Sequence, residues 1–110
     1  MKRTAARTRS RSEPRDLRAR AGDVADVLAA LSNDRRLLIL CTLVEEGEAT
    51  VNGLAESVGL SQSALSQHLA KLRAEDIVAY RRDGQTLWYR VADKRIEGLL
   101  ATLHRLYCRD

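Results

Sequence analysis

The stretch from Val51 to Glu75, VNGLAESVGLSQSALSQHLAKLRAE, constrains the chain more than any other. Val51, Leu54, Ala55 and Val58 recur at helical spacing and give one apolar face, on which Ala55 is small enough for a second helix to cross closely. Gly59 permits the backbone of a tight turn, and Ser61 follows as an N-cap for a second helix whose apolar stripe is Leu65, Leu69 and Leu72. This is the pattern of a helix-turn-helix. At about 100° per residue, Ser63, Ser66, Gln67, Ala70 and Lys71 fall together on the opposite face. Short hydroxyl and amide side chains can meet base edges in a major groove, and a lysine can meet a phosphate. Ser61 and Gln62 at the helix start and His68 on its flank complete the candidate DNA-contact set. Taken alone, the stretch also fits an αα-hairpin whose polar face is merely solvated.

A chain of 110 residues supports one small domain, and the share of surface it buries unaided is modest, so dimerisation would help it. Aromatics make up 4% with no Phe, which leaves Leu, Val, Ile and Ala to build the core of a mostly helical domain. No window approaches a membrane span, and no apolar run follows the basic start, so no membrane partner is expected and the cytoplasm is the default compartment. Neither Cys-x-x-Cys nor a nucleophile, base and orienter set stands out, which argues against an enzyme. No cofactor is expected.

The net charge of +4 is a property of the tail: residues 1 to 20 carry eight Lys or Arg against Glu13 and Asp16, so the other ninety residues carry a net of −2. Residues 1–15, with the only proline, lack periodicity and are expected to form a disordered basic tail ahead of a domain spanning 16–110. Such an arm can hold phosphates or enter a minor groove, or it can remain a solvated tail with weak non-specific affinity.

A helical pattern begins at Asp16 with Leu17, Val24, Val27, Leu28 and Leu31, and Ser32, Asn33 and Asp34 form a cap cluster. The next helix is expected from about Arg35 to Glu46, with Leu37, Leu40, Cys41 and Val44 as its stripe. After the helix-turn-helix the period changes. Ile77 to Val91, IVAYRRDGQTLWYRV, reads as a β-hairpin across Asp83-Gly84, that is, a wing whose Arg81, Arg82, Gln85 and Thr86 can touch DNA beside the reading helix. Asp93 caps a last helix with Ile96, Leu99, Leu100, Leu103 and Tyr107. With Leu17 and Val24 these residues are the candidate dimer interface of a two-fold dimer; alternatively both terminal helices close the core of a monomer. The fold class is therefore mainly α with a β-hairpin wing, a dimeric winged helix-turn-helix in the order α-α-α-α-β-β-α.

That order, with LSNDRRLLILCTL, LAESVGLSQSALSQHLAKL and RRDGQTLWYRV, resembles the ArsR/SmtB family of bacterial winged-helix repressors over roughly Asp23 to Cys108. The resemblance implies a homodimer that binds double-stranded operator DNA and leaves it when an inducer is sensed. Many relatives sense metals. Thr50 and Asn52 stand where arsenic and cadmium sensors carry Cys-x-Cys, and Asp93 with Arg95 and His104 with Tyr107 replace the zinc sensors' ligand pairs. No metal site is expected.

Two cysteines remain, Cys41 and Cys108. By residue type alone, Cys41 on an apolar stripe reads as a small buried hydrophobe, and thiols 67 residues apart are usually unlinked. Cys108, about 120° from Ile96 around the last helix, is not explained by that helix's main stripe. A cysteine in each of these two helices resembles the sulfide- and persulfide-responsive branch, which implies release from DNA when reactive sulfur species link Cys41 and Cys108. The alternatives are a peroxide, disulfide-stress or metal response in the same repressor, and a winged-helix protein-interaction module that binds no DNA.

Overall fold

The computed structural model describes residues 16–108. The basic tail expected at 1–15 lies outside the described residues, as do residues 109–110. Five helices and three strands follow in the order α1 (Ala21–Leu31), α2 (Asp34–Glu46), β1 (Ala49–Thr50), α3 (Val51–Val58), α4 (Gln62–Ala74), β2 (Val78–Asp83), β3 (Thr86–Val91) and α5 (Lys94–Tyr107). This is the winged helix-turn-helix that the sequence predicts, with one added strand.

Four of the five helices start on a side-chain acceptor. Asn33 accepts from the amides of Arg35 and Arg36, Thr50 from Gly53, Ser61 from Ala64 and Asp93 from Arg95, each satisfying a donor that the helix itself leaves free. Helix α1 lacks such a cap. The Asp16 carboxylate instead accepts from the Ala19 amide at 2.9 Å and closes a turn, so the helix begins at Ala21 rather than Asp16. Leu17 consequently precedes α1 and does not lie on its face.

The turn inside the motif depends on Gly59, whose left-handed backbone at φ 72° ends α3 while its amide donates to the Ala55 carbonyl. The hairpin closes one residue later than predicted. Asp83 pairs with Thr86, so the loop is Gly84-Gln85 with glycine first at φ 66°, a favoured two-residue hairpin loop. This shift moves every cross-strand partner by two residues and therefore leaves the faces unchanged. Tyr80 meets Tyr89 and Arg81 meets Trp88. β1 adds to the free edge of β3, giving the order β1-β3-β2.

The core is aliphatic, as a chain without Phe requires: Ile39, Leu40, Leu43, Leu54, Leu65, Leu69, Leu72 and Ile96 are sealed from solvent. In α2 the stripe is rotated from the one predicted. Ile39, Leu40 and Leu43 are deepest, while Leu37, Cys41 and Val44 line the margin, because α3, α5 and the sheet all pack on this helix and draw a broader face inward.

Two outcomes follow. Gly59→Ala meets no heavy atom within 4 Å, so its cost is conformational, about 1 kcal/mol in denaturant unfolding. The Asp93 carboxyl is held below its usual range chiefly by its hydrogen bond from the Arg95 guanidinium, against a smaller opposing effect of burial. A lowered folded value adds stability above the ordinary carboxylate range and loses it as pH falls through the folded value. The melting temperature is expected to drop below about pH 4, and Asp93→Asn to flatten part of that dependence.

Candidate nucleic-acid interface and thiol pair

Burial of Leu65, Leu69 and Leu72 turns the other side of α4 outward. Gln62, Ser63, Ser66, Gln67 and Lys71 are exposed together, and His68 is half-buried on the flank. Ser61 is exposed too, but its side-chain oxygen accepts the Ala64 amide at 3.1 Å, so its first task is to hold the helix start. No Asp or Glu occurs between Gln62 and Ala74, and the cations Lys71 and Arg73 lie in the last turn, where they also complement the helix dipole. The face therefore offers hydrogen-bonding groups without a carboxylate to repel phosphate.

The wing separates two arginines that the sequence reading grouped. By register Tyr80, Arg82, Leu87 and Tyr89 share one face of the sheet, and Arg81 and Trp88 share the other. On the first face, the Arg73 guanidinium lies 5.0 Å from the centre of the Tyr80 ring, which meets Tyr89 at 5.3 Å, so the end of α4 and the wing are joined there. On the second, Arg81 donates through Nε and Nη2 to both carboxylate oxygens of Glu48, at 2.8 and 3.0 Å. Arg81 was expected to face DNA. Its donors are committed to Glu48 instead, whereas Arg82, Gln85 and Thr86 are exposed with no side-chain hydrogen bond recorded among the described residues. Neither Arg73 nor Glu48 is signalled by periodicity, since each acts through a partner distant in sequence.

The expected dimer surface needs a similar correction. Ile96 and Leu100 are buried in the core of their own protomer and cannot also face a partner. Leu99 and Leu103 pack partly against that core, and Val24 is half-buried. Leu17 and Tyr107 are 69% and 80% exposed, and Leu28, Leu38 and Leu106 join them as large apolar side chains left in solvent.

Cys41 lies in α2 and Cys108 caps the end of α5, two helices that pack together, and both thiols are free. Burial, with Glu45 and then Cys108 adding to it, pushes the Cys41 thiol above its ordinary value. Cys108 lies at the end of the helix that packs against α2. It is exposed, with its amide donating to the His104 carbonyl. Among the described residues no three His, Cys, Asp or Glu side chains gather into a metal-holding group. An open recess of about 650 Å³ beside α1 and the start of α5 is lined by Asp23, Asp26, Arg36 and Glu75 among others and includes neither cysteine. No helix among the described residues is long and apolar enough to cross a membrane.

Comparison with known proteins ties this geometry to a lineage. The family model described as bacterial regulatory protein, arsR family, matches residues 33–80, and the nodulation protein NolR of Rhizobium meliloti is 50% identical over 86 residues, 78% of this chain and 70% of NolR. The chain belongs to the arsR family. Among solved structures, reduced HlyU from Vibrio cholerae N16961 superposes with a TM-score of 0.78 at 40% identity, covering 84% of this chain and 97% of HlyU. The transcriptional repressor BigR from Xylella fastidiosa gives a TM-score of 0.78 at 37% identity, covering 86% and 95%. HlyU is named as a transcriptional activator and BigR as a transcriptional repressor, and neither as an enzyme. The matched segment runs from the cap of α2 into β2 and so contains Cys41 but not Cys108.

The unequal settings of the thiols have a measurable outcome. With limiting iodoacetamide near neutral pH, peptide mass spectrometry is expected to find Cys108 alkylated roughly tenfold faster than Cys41, and unfolding to remove the difference.

Proposed function

We propose that this member of the arsR family is a homodimeric, cytoplasmic repressor that binds double-stranded operator DNA and is released when a persulfide or polysulfide links Cys41 to Cys108. The observation that carries the reading is the placement of an exposed thiol at the end of α5 and a half-buried one on α2, two helices that pack against each other. BigR's name as a repressor supports the sign of regulation, and the reduced form in which HlyU was solved is consistent with thiol chemistry in this lineage.

The reading face of α4 takes the major groove through Gln62, Ser63, Ser66, Gln67 and Lys71, with His68 at its flank and Ser61 holding its start. Arg82, Gln85 and Thr86 bring the wing to the adjoining backbone. In the dimer, Leu17, Leu28, Leu38, Leu106 and Tyr107 lie between the protomers with the outer parts of Val24, Leu99 and Leu103, which takes these large apolar groups out of water.

For the switch, Cys108 reacts first, being exposed while Cys41 is half-buried and its thiol is pushed above its ordinary value by that burial. Its thiolate attacks the outer sulfur of an organic persulfide, RSSH, forming Cys108–S–SH and releasing RS⁻. The Cys41 thiol gives up its proton to solvent, and its sulfur attacks the Cys108 sulfur, expelling HS⁻ and closing a disulfide. With an organic trisulfide, RSSSR, the Cys108 thiolate attacks the central sulfur and expels RS⁻. Attack by Cys41 on that same central sulfur expels the second RS⁻ and leaves a three-sulfur bridge. Either product ties the end of α5 to α2.

The test is intact-mass and peptide mass spectrometry of the reduced full chain after treatment with an organic persulfide or trisulfide, with DNA binding followed on the same samples. A Cys41–Cys108 cross-link that forms as DNA affinity falls is the expected result, carrying extra sulfur after the trisulfide. Cys108→Ala and Cys41→Ala are expected to bind DNA when reduced and to ignore the sulfur donor. Normal release of Cys108→Ala by the same donor would overturn the mechanism. A response to hydrogen peroxide alone would reassign the signal to oxidants.

A further inference from the structure

Glu48 stands where the helix-turn-helix and the wing meet. It leads directly into β1, whose Ala49 and Thr50 pair with Tyr89 and Trp88, and Thr50 then caps α3 by accepting the Gly53 amide at 3.0 Å. Continuing that antiparallel register sets Glu48 opposite Arg90, on the sheet face that carries Arg81 and Trp88. The two hydrogen bonds from Arg81 reach back across 33 residues, and the Arg81 guanidinium lies 5.5 Å from the centre of the Trp88 ring. One carboxylate therefore closes a circuit from β2, across β3, to the residue that starts the motif.

Exposed ion pairs between flexible side chains usually contribute little. This pair differs in kind, because two parallel hydrogen bonds fix the orientation of both groups and the ring restricts the guanidinium further. The Arg81 hydrogen bond is also the chief reason that the Glu48 carboxyl lies below its usual range, with the charges of Arg81 and Arg90 acting the same way and burial opposing them. The arrangement has a second effect. It removes a cation from the pool that can meet DNA phosphate and leaves Arg82, on the opposite face, without such a partner among the described residues.

We propose that the Glu48–Arg81 pair is a latch that fixes the wing against the first helix of the motif and withholds Arg81 from DNA, making Glu48 a positioning residue for sequence discrimination. The latch is independent of any ligand, while its consequence for discrimination rests on the operator-binding reading. With the latch open, Arg81 adds phosphate attraction at every sequence and the wing loses its register at the correct one.

The experiment compares the full-length wild type with Glu48→Ala and with the charge swap Glu48→Arg/Arg81→Glu. Trp88 is the only tryptophan, so its fluorescence reports the latch directly, and hydrogen exchange of the Leu87 to Arg90 amides reports the wing. The DNA probes are a duplex enriched by the wild type from a random pool and a scrambled duplex of equal length, titrated across salt. In Glu48→Ala, Trp88 emission is expected to shift and the wing amides to exchange faster. Affinity for the scrambled duplex is expected to rise, with a salt slope steeper by about one, and the selected-to-scrambled ratio to fall roughly three- to tenfold. The swap is expected to slow wing exchange back toward wild type, while Trp88, which no longer has the position-81 guanidinium beside its ring, keeps an altered emission.

Unchanged emission and exchange in Glu48→Ala would overturn the latch whatever DNA does. An altered Trp88 signal with an unchanged ratio would overturn its role in discrimination. Failure of the wild type to enrich any duplex would overturn the operator-binding reading and the DNA half of the proposal together, with the Trp88 measurement still deciding the latch.

Discussion

Removal of Leu65, Leu69 and Leu72 from water determines where the reading helix points. All three are sealed in the core, and burial of such a side chain is worth about 1.5–3 kcal/mol as an upper figure. The Ser61 cap and the Gly59 turn each contribute on the order of 1 kcal/mol. The leucines therefore fix the rotation of α4 about its axis, and the cap and turn fix its start and entry angle. Rotating α4 by half a turn would expose three leucines and bury Ser63, Gln67 and Lys71 against an aliphatic core without partners. The outward polar face is a consequence of that asymmetry.

Electrostatics then distribute function over this scaffold. Outside the first twenty residues the chain is net acidic, so attraction for a phosphate backbone cannot come from the overall charge of the domain and depends on local placement. Helix α4 carries no acid, and its two cations lie at its end. Arg73 is held over Tyr80 where helix and wing meet, Arg82 lies on that face of the sheet, and Arg81 is turned away and paired. Two adjacent arginines in one strand acquire different roles because successive side chains leave a sheet on opposite faces.

What could be read from the sequence follows from the range of the interactions involved. The motif helices, the Asn33, Ser61 and Asp93 caps and the hairpin are written in neighbours within a few residues, and they appear where periodicity and turn chemistry predict, the hairpin loop displaced by one residue. β1 has two residues, too few for any period, and exists because β3 has an edge to offer. The Glu48–Arg81 pair joins positions whose proximity is set only by that strand. In α5 the stripe was legible but its destination was not: Ile96 and Leu100 close the protomer's own core, while Tyr107 at the end of the same helix is left in solvent. Spacing identifies an apolar face without identifying which surface covers it. The same limit applied to Cys41, whose place at the margin of its stripe became visible only once α2 was seen packed from several sides.

The packing also constrains how a link between Cys41 and Cys108 can act at a distance. Helix α2 touches α1, α3, α5 and β3, whereas α4 is held by α3 and β2. The more extensive contacts from α2 to the reading helix run through α3 and through the sheet, and both pass beside β1, which joins the end of β3 to the start of α3. Packing contiguity is not coupling; an element with two arrangements is required. The last turn of α5 is the part of the molecule suited to that role, since Leu106, Tyr107 and Cys108 are all exposed there and little packing within the protomer holds them. A bridge to Cys41 would draw that turn toward α2 at low cost to the protomer's core. Under the proposed reading the cost would fall on whatever covers Leu106 and Tyr107, and a thiol switch at this position would act on the dimer first and on DNA through it.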